Sequence, residues 1–322
     1  MDRYKLAINA YTGWAKTIPN IPPNAQWSQN GVTVAGGHGL GSASDQLYFP
    51  MGLFVDENQK VFIVDSYNQR IVQWNLNDTN GKIVAGGHGS GSGLDQFADP
   101  ADILLDKETN SFIICDWGNR RVVKWSRLSN ATQGEILIDN VQCRGLAMDN
   151  QRYLYVSEYG KHQVRRYSLD QKSFTIVAGG NGQGTGLNQL QSPKYLFVDR
   201  QQTVYVSDTS NHRVMKWNKS ATEGIVVAGG QGRGSNLTQF SSPRGVFVDT
   251  YGTVYVADYE NHRVMRWSQG ATQGTIIIGG NGEGKHENQL NHPECLAFDR
   301  YGNLYVSDQN NQRVQNFTIQ ST

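Results

Sequence analysis

Hydrophobic and polar residues alternate in short bursts along almost the whole chain. Runs such as Val204-Tyr-Val-Ser-Asp208 and Arg213-Val-Met-Lys-Trp217 are rich in β-branched and aromatic side chains and are bounded by Asn, Asp, Gly or Pro. This is the period-two pattern of half-buried strands, and no stretch carries the 3.6-residue period of an amphipathic helix. Val204–Trp217 (VYVSDTSNHRVMKW) reads as two strands joined at a tight Asp…Asn-His-Arg corner. The same unit recurs at Val61–Trp74, Phe112–Trp125, Leu154–Tyr167, Val254–Trp267 and Leu304–Phe317, six copies in all. The corner acids Asp65, Asp116, Glu158, Asp208, Asp258 and Asp308 are spaced by 51, 42, 50, 50 and 50 residues. A fixed period of this size marks a propeller, a solenoid or an array.

Around each corner the pattern supplies two more strands: an apolar one ending in Asp (GLFVD, GLAMD, YLFVD, GVFVD, CLAFD) and an IVVAGG-like one. Four short strands repeated six times predict an all-β fold: a six-bladed β-propeller of four-stranded antiparallel blades. The chain opens on an orphan fourth strand, Val32–Gly36, and the last repeat supplies only three strands, over 293–317. The N-terminal strand is therefore expected to complete the C-terminal blade, which removes two exposed sheet edges. The predicted organisation is an extended N-terminal arm over residues 1–30 and a propeller over 31–322. Pro19, Pro22 and Pro23 argue against a helix or central strand in the arm, and Trp14 and Trp27 are its candidate anchors.

Asn211-His212-Arg213-Val214 and Asn261-His262-Arg263-Val264, each preceded by a Tyr-Val-x-Asp strand, resemble the NHL repeat family, and the resemblance extends over residues 31–322. Elsewhere the His is replaced by Gln69, Arg120 and Gln312, or stands within Lys161-His162-Gln163. The resemblance implies a six-bladed propeller used mostly as a binding platform. Such propellers occur in ubiquitin-ligase-like proteins that bind RNA or protein, in bacterial receptor sensors, in large adhesion proteins and in a peptide-amidating lyase.

Five copies pair an acid with an arginine five residues on: Asp65–Arg70, Asp116–Arg121, Asp208–Arg213, Asp258–Arg263 and Asp308–Arg313. A charge-assisted contact between them would hold the corner shut, a structural role. The aromatics closing each third strand (Trp74, Trp125, Tyr167, Trp217, Trp267, Phe317) are expected to pack between blades. The Gly-rich loops lack GK[ST] and no helix follows them, so they are not read as phosphate cradles. Their glycines are expected to permit positive φ in a turn.

Charge adds little: 29 basic against 28 acidic residues, net +1, gives no global attraction to nucleic acid. The seven His residues show no metal-ligand spacing and no Gly-x-Ser-x-Gly is present, so no catalytic residue, metal or cofactor is expected. No apolar run approaches the roughly 20 residues of a membrane span, and Met1–Leu6 does not begin a secretory signal. The compartment stays open between cytoplasmic and, for a fragment of a longer chain, extracellular. Asn-x-Ser/Thr sequons start at Asn77, Asn130, Asn218, Asn236 and Asn316, where about three would arise by chance, and they lean toward the second.

The third repeat departs from the rest. Ile138–Cys143 replaces a long loop, Glu158 replaces the corner Asp, and Gln163 replaces the corner Arg. Corners and loops should share one face, so the missing loop predicts a notch between the second and third blades, near Trp117, Arg120, Cys143, Arg144, Tyr159, Lys161 and His162. That notch is read as the partner site. Cys115 and Cys143 should lie near the same face of adjacent blades and would bridge if their Cα atoms come within about 7 Å. The expected function is a non-enzymatic, monomeric binding or scaffold module for a protein or other macromolecular partner. Two alternatives stay open: an RNA-binding propeller, which needs a face of clustered Lys and Arg, and a metal-dependent lyase or hydrolase with a site in the channel.

Overall fold

The computed structural model describes residues 18–128, 130–171 and 173–320. Six four-stranded antiparallel sheets form six blades, over 50–86, 100–138, 143–179, 193–229, 243–279 and 293–317, the last completed by Val32–Gly36. The first strand of every blade packs against the first strands of both neighbours, so the blades form a ring around a central channel. Closure is as the strand count predicts: Val32, Thr33, Ala35 and Gly36 pair with Asn316, Gln315, Val314 and Arg313. The pairing continues past the sheet, where Ser28 N–H donates to Thr318 O and Gln320 N–H to Gln26 O, at 2.9 and 2.8 Å.

Each repeated residue type has a local cause. The Asp ending the first strand is an Asx-turn residue: Asp199 Oδ1, for example, accepts from the backbone N–H groups of Gln201 and Thr203, satisfying the turn to the second strand. In five blades the corner between second and third strands is one turn of 3₁₀ helix closed by a left-handed residue, as at His212, φ 53°; in blade 2 it is a plain turn closed by Arg120, φ 54°. The closing aromatics are buried. A glycine at the start of the fourth strand lies against each of four of them: a Cβ on Gly81 would come within 2.4 Å of Trp74, and Gly31, Gly224 and Gly274 sit in the same way on Phe317, Trp217 and Trp267.

In the N-terminal arm, Trp27 is 1% exposed and its indole N–H donates to Gly302 O at 2.8 Å. Trp14 lies outside the described residues. Ile18 and Pro19 line the far end of the channel cavity beside Phe298 and Arg300.

Candidate functional site

The motif residues lock the long loop of their own repeat onto the blade. Arg213 Nε donates to Asp208 Oδ2 at 2.7 Å, and its other two nitrogens donate to the carbonyls of Thr185, Gly186 and Gln189. Asn211 joins Gly184 O to the same carboxylate oxygen, while Asp208 Oδ1 accepts from Gln191 N–H. The arrangement repeats around Arg70, Arg121, Arg263 and Arg313. The loops thus offer carbonyl oxygens to a cation, the opposite polarity to a phosphate cradle, and Gly229, Gly230 and Gly232 supply the positive φ.

A second device joins blades. The left-handed corner residue accepts a backbone N–H from the next blade's entry: Gln312 from Phe49, Gln69 from Asp99, His162 from Ser192, His212 from Ser242 and His262 from His292. Sequence reasoning gave these residues no part in joining blades, and placed His162 in the notch, yet the signal was there, because only Gln or His, both acceptors, occupies these five positions.

The remaining seam, between blades 2 and 3, is built differently. Arg120 has no acceptor to offer and instead donates to Asn140 Oδ1 at 2.8 Å. A disulfide joins Cys115 to Cys143, with Cα atoms 5.7 Å apart, and both residues are fully buried. With no long loop to hold, blade 3 dispenses with the two side chains that hold it elsewhere: Lys161 stands for the Asn and Gln163 for the Arg. The corner charge is nevertheless compensated. Arg165, two residues on and so on the same face of the strand, pairs with Glu158 at 2.9 Å and lies over the Phe174 ring at 4.2 Å. Gln163 donates to Glu158 at 2.7 Å. Gln163 stands where the other corners carry arginine, as the sequence reads, and the guanidinium comes from Arg165 instead.

Three predicted notch residues come together. The rings of Trp117 and Tyr159 meet edge-on at 5.3 Å, and the Arg144 guanidinium lies 4.0 Å over Trp117 and 5.8 Å from Tyr159. Arg120 and Lys161 are exposed beside them. His162 faces the next seam and its Nδ1 is taken by Ser192 N–H.

Arg144 also belongs to a set that sequence reasoning missed. It is the second residue of its blade's first strand, and the equivalent positions around the ring are Met51, Ala101, Lys194, Arg244 and Glu294. The residue before each pairs with a corner acid, so the set surrounds the channel mouth on the loop face. Two of the six are apolar or small and four are charged. Glu294 is fully buried and pairs with Arg244, which lies 3.4 Å over the Tyr259 ring. Tyr195 donates its hydroxyl to Glu294 at 3.3 Å. Burial pushes the Glu294 carboxyl up, but Arg244, Lys194 and Arg144 outweigh it and hold the group below the ordinary glutamate range. Burial, aided by the two arginines and opposed by Glu294, brings the Lys194 amine down to about 7. Burial also lowers Arg144. Among the described residues, no group of three or more His, Cys, Asp or Glu side chains is placed to hold a metal ion. Below the mouth, a narrow cavity of about 100 Å³, lined by Tyr195, Cys295, Leu296 and Phe247, runs to the arm.

Comparisons with known proteins agree with this architecture. A family model described as 6-bladed beta-propeller (DUF5128) matches residues 50–225, and an NHL repeat model matches residues 240–266. No curated protein matches. Among solved structures, a protein of unknown function from Bacteroides thetaiotaomicron aligns with TM-score 0.71 at 16% identity, covering 92% of this chain and 77% of that one. An auxiliary nutrient binding protein from the same organism aligns with TM-score 0.70 at 17% identity, covering 92% and 78%. A gluconolactonase from Xanthomonas campestris aligns with TM-score 0.63 at 14% identity, covering 92% and 97%. At these identities the likeness is one of fold.

Proposed function

This chain belongs to the 6-bladed beta-propeller family DUF5128, and from that premise we propose that it is a non-enzymatic binding module whose loop face takes hold of a macromolecular partner, a protein foremost, where blades 2 and 3 meet. The observation that carries this reading is the Trp117–Arg144–Tyr159 stack. At the other five blade entries a long loop lies against the motif arginine; here the loop is missing, and two exposed cations, Arg120 and Lys161, flank the opening. Aromatic and arginine side chains in a desolvated patch are the residue types that dominate interface energetics, and loops on a rigid ring are where recognition is usually built. A nutrient binding protein among the similar structures is in keeping with such a role.

The disulfide favours an oxidising compartment. Four of the five sequon asparagines, Asn77, Asn130, Asn218 and Asn236, are exposed. Together they support an extracellular setting.

The test is site-specific photo-crosslinking in extracts of the native source. A photoreactive residue at Arg120 or Lys161 should give a discrete crosslinked protein that disappears with Trp117→Ala. The same residue at Asn150, exposed in a turn on the opposite face, should give none. Equal products from Asn150, products indifferent to Trp117→Ala, or products that vanish on ribonuclease treatment would overturn the reading.

A further inference from the structure

The repeat makes the channel mouth unusual. In a six-fold scaffold, equivalent positions serve equivalent packing needs, so a position occupied by Met, Ala, Arg, Lys, Arg and Glu answers to something other than the scaffold. Three of the six are cations on three consecutive blades, and one buried carboxylate stands against them. Glu294 is already engaged by Arg244 and Tyr195. Among the described residues, Lys194 Nζ has no hydrogen-bond acceptor and no carboxylate within ion-pair distance, and the Arg144 guanidinium has only the Trp117 and Tyr159 ring faces. The buried Nε atoms of Arg144 and Arg244 also lack hydrogen-bond partners. Buried donors are normally satisfied, and charged ones left unsatisfied are costly. Arg144 and Arg244 both stand at the same opening.

We propose that the channel mouth is a binding site for an oxyanion, a carboxylate above all, held between Arg144, Lys194 and Arg244. Arg144 lies over the Trp117 ring at 4.0 Å and makes no hydrogen bond to a protein acceptor among the described residues, so its terminal guanidinium nitrogens can match a planar carboxylate two-pronged. Lys194 contributes a point charge from the next blade, and Arg244, anchored by Glu294 and Tyr259, closes the third side. Glu294 sets the limit of the site: it neutralises one cation, so a monoanion or dianion balances what remains. The site rests on the loop face being the binding face, and it names the chemical group taken there. That group is either a free small carboxylate or an acidic side chain of the partner.

Anion binding should draw a proton onto Lys194. The charged groups around that amine are Glu294, Arg244 and Arg144; an added anion among them favours the protonated form, which near neutral pH is incompletely populated in the free protein.

Isothermal titration calorimetry of the full chain at constant ionic strength tests the proposal, with succinate, inorganic phosphate and a short Glu-containing peptide as separate probes. Saturable one-site binding is expected. Lys194→Met and Arg144→Met should each weaken it about tenfold or more, whereas Lys219→Met, on an exposed turn, should leave it unchanged. At about pH 7.5, runs in buffers of different ionisation enthalpy should show net proton uptake that Lys194→Met abolishes. Preference for succinate or for the peptide distinguishes a free ligand from a partner side chain; preference for phosphate overturns the carboxylate assignment. Absence of saturation with every probe, unchanged affinity in Lys194→Met, or no proton uptake overturns the site. Crosslinking from Arg120 and Lys161 surviving such a failure would leave the loop-face reading standing.

Discussion

Removing the Cys115–Cys143 bond should weaken one seam of the ring selectively. The two residues are 28 apart in sequence, and the chain-entropy estimate for closing a loop of that size in the unfolded state is about 3.5 kcal/mol. For a chain of this length, unfolding entropy near 2 cal/mol/K per residue converts that figure to a fall of about 5 °C in melting temperature. The effect should also be local. The other five seams carry a Gln or His acceptor across the gap, but Arg120 cannot replace the lost bond. Calorimetry of Cys115→Ala/Cys143→Ala gives the magnitude, with Cys295→Ala, a buried cysteine outside the disulfide, as the packing control. Hydrogen exchange gives the location: amides in Ser111–Asp116 and Cys143–Met148 should lose protection while those in Val254–Asp258 keep it. A melting shift no larger than the control's, or exchange that rises evenly around the ring, would refute the reasoning.

Three further outcomes are expected. Arg165→Met should cost about 3–5 kcal/mol in denaturant unfolding, because Glu158, 2% exposed, loses its cation; adding Glu158→Gln should recover most of the loss, and an additive double mutant would deny the pairing. The Lys194 amine is lowered in the fold, so the unfolded chain binds more protons between about 7 and 10.5 and stability should rise with pH across that window; chemical denaturation from about pH 7 to about 9 should show a slope that Lys194→Met flattens. Protein secreted from a eukaryotic host should carry N-glycans at Asn77, Asn130, Asn218 or Asn236 but not at Asn316, which is strand-paired with a buried amide nitrogen; peptide mapping after enzymatic deglycosylation in heavy-oxygen water reads each site, and occupancy at Asn316 would contradict the fold at the closing blade.

Blade number, strand order and ring closure were legible because each rests on a local pattern repeated until chance is excluded: alternation along strands, Asp at turns, Gly in left-handed positions. The loop face was legible too, since antiparallel connection forces corners and loops to one end. The displaced arginine was harder to see. Arg165 occupies a position where the other blades carry Val72, Val123, Met215, Met265 and Gln315, so its role emerges only from knowing that positions two apart share a face and that the neighbouring loop is gone. The channel-mouth set was hidden for a related reason. Reading each repeat for what it shares hides the one column in which the repeats disagree, and a near-neutral total charge conceals three cations gathered by the ring from residues about 50 positions apart.

Joining the first strand to the last has a consequence for biosynthesis. Gly36 cannot find Arg313 until the roughly 280 residues that separate them have left the ribosome. At about 5–20 residues per second, the leading segment waits on the order of 15–60 seconds with its edge unprotected. Closure is thus the last pairing of the ring to become possible, and a chain cut before Arg313 would keep its other sheets while its circle never shuts.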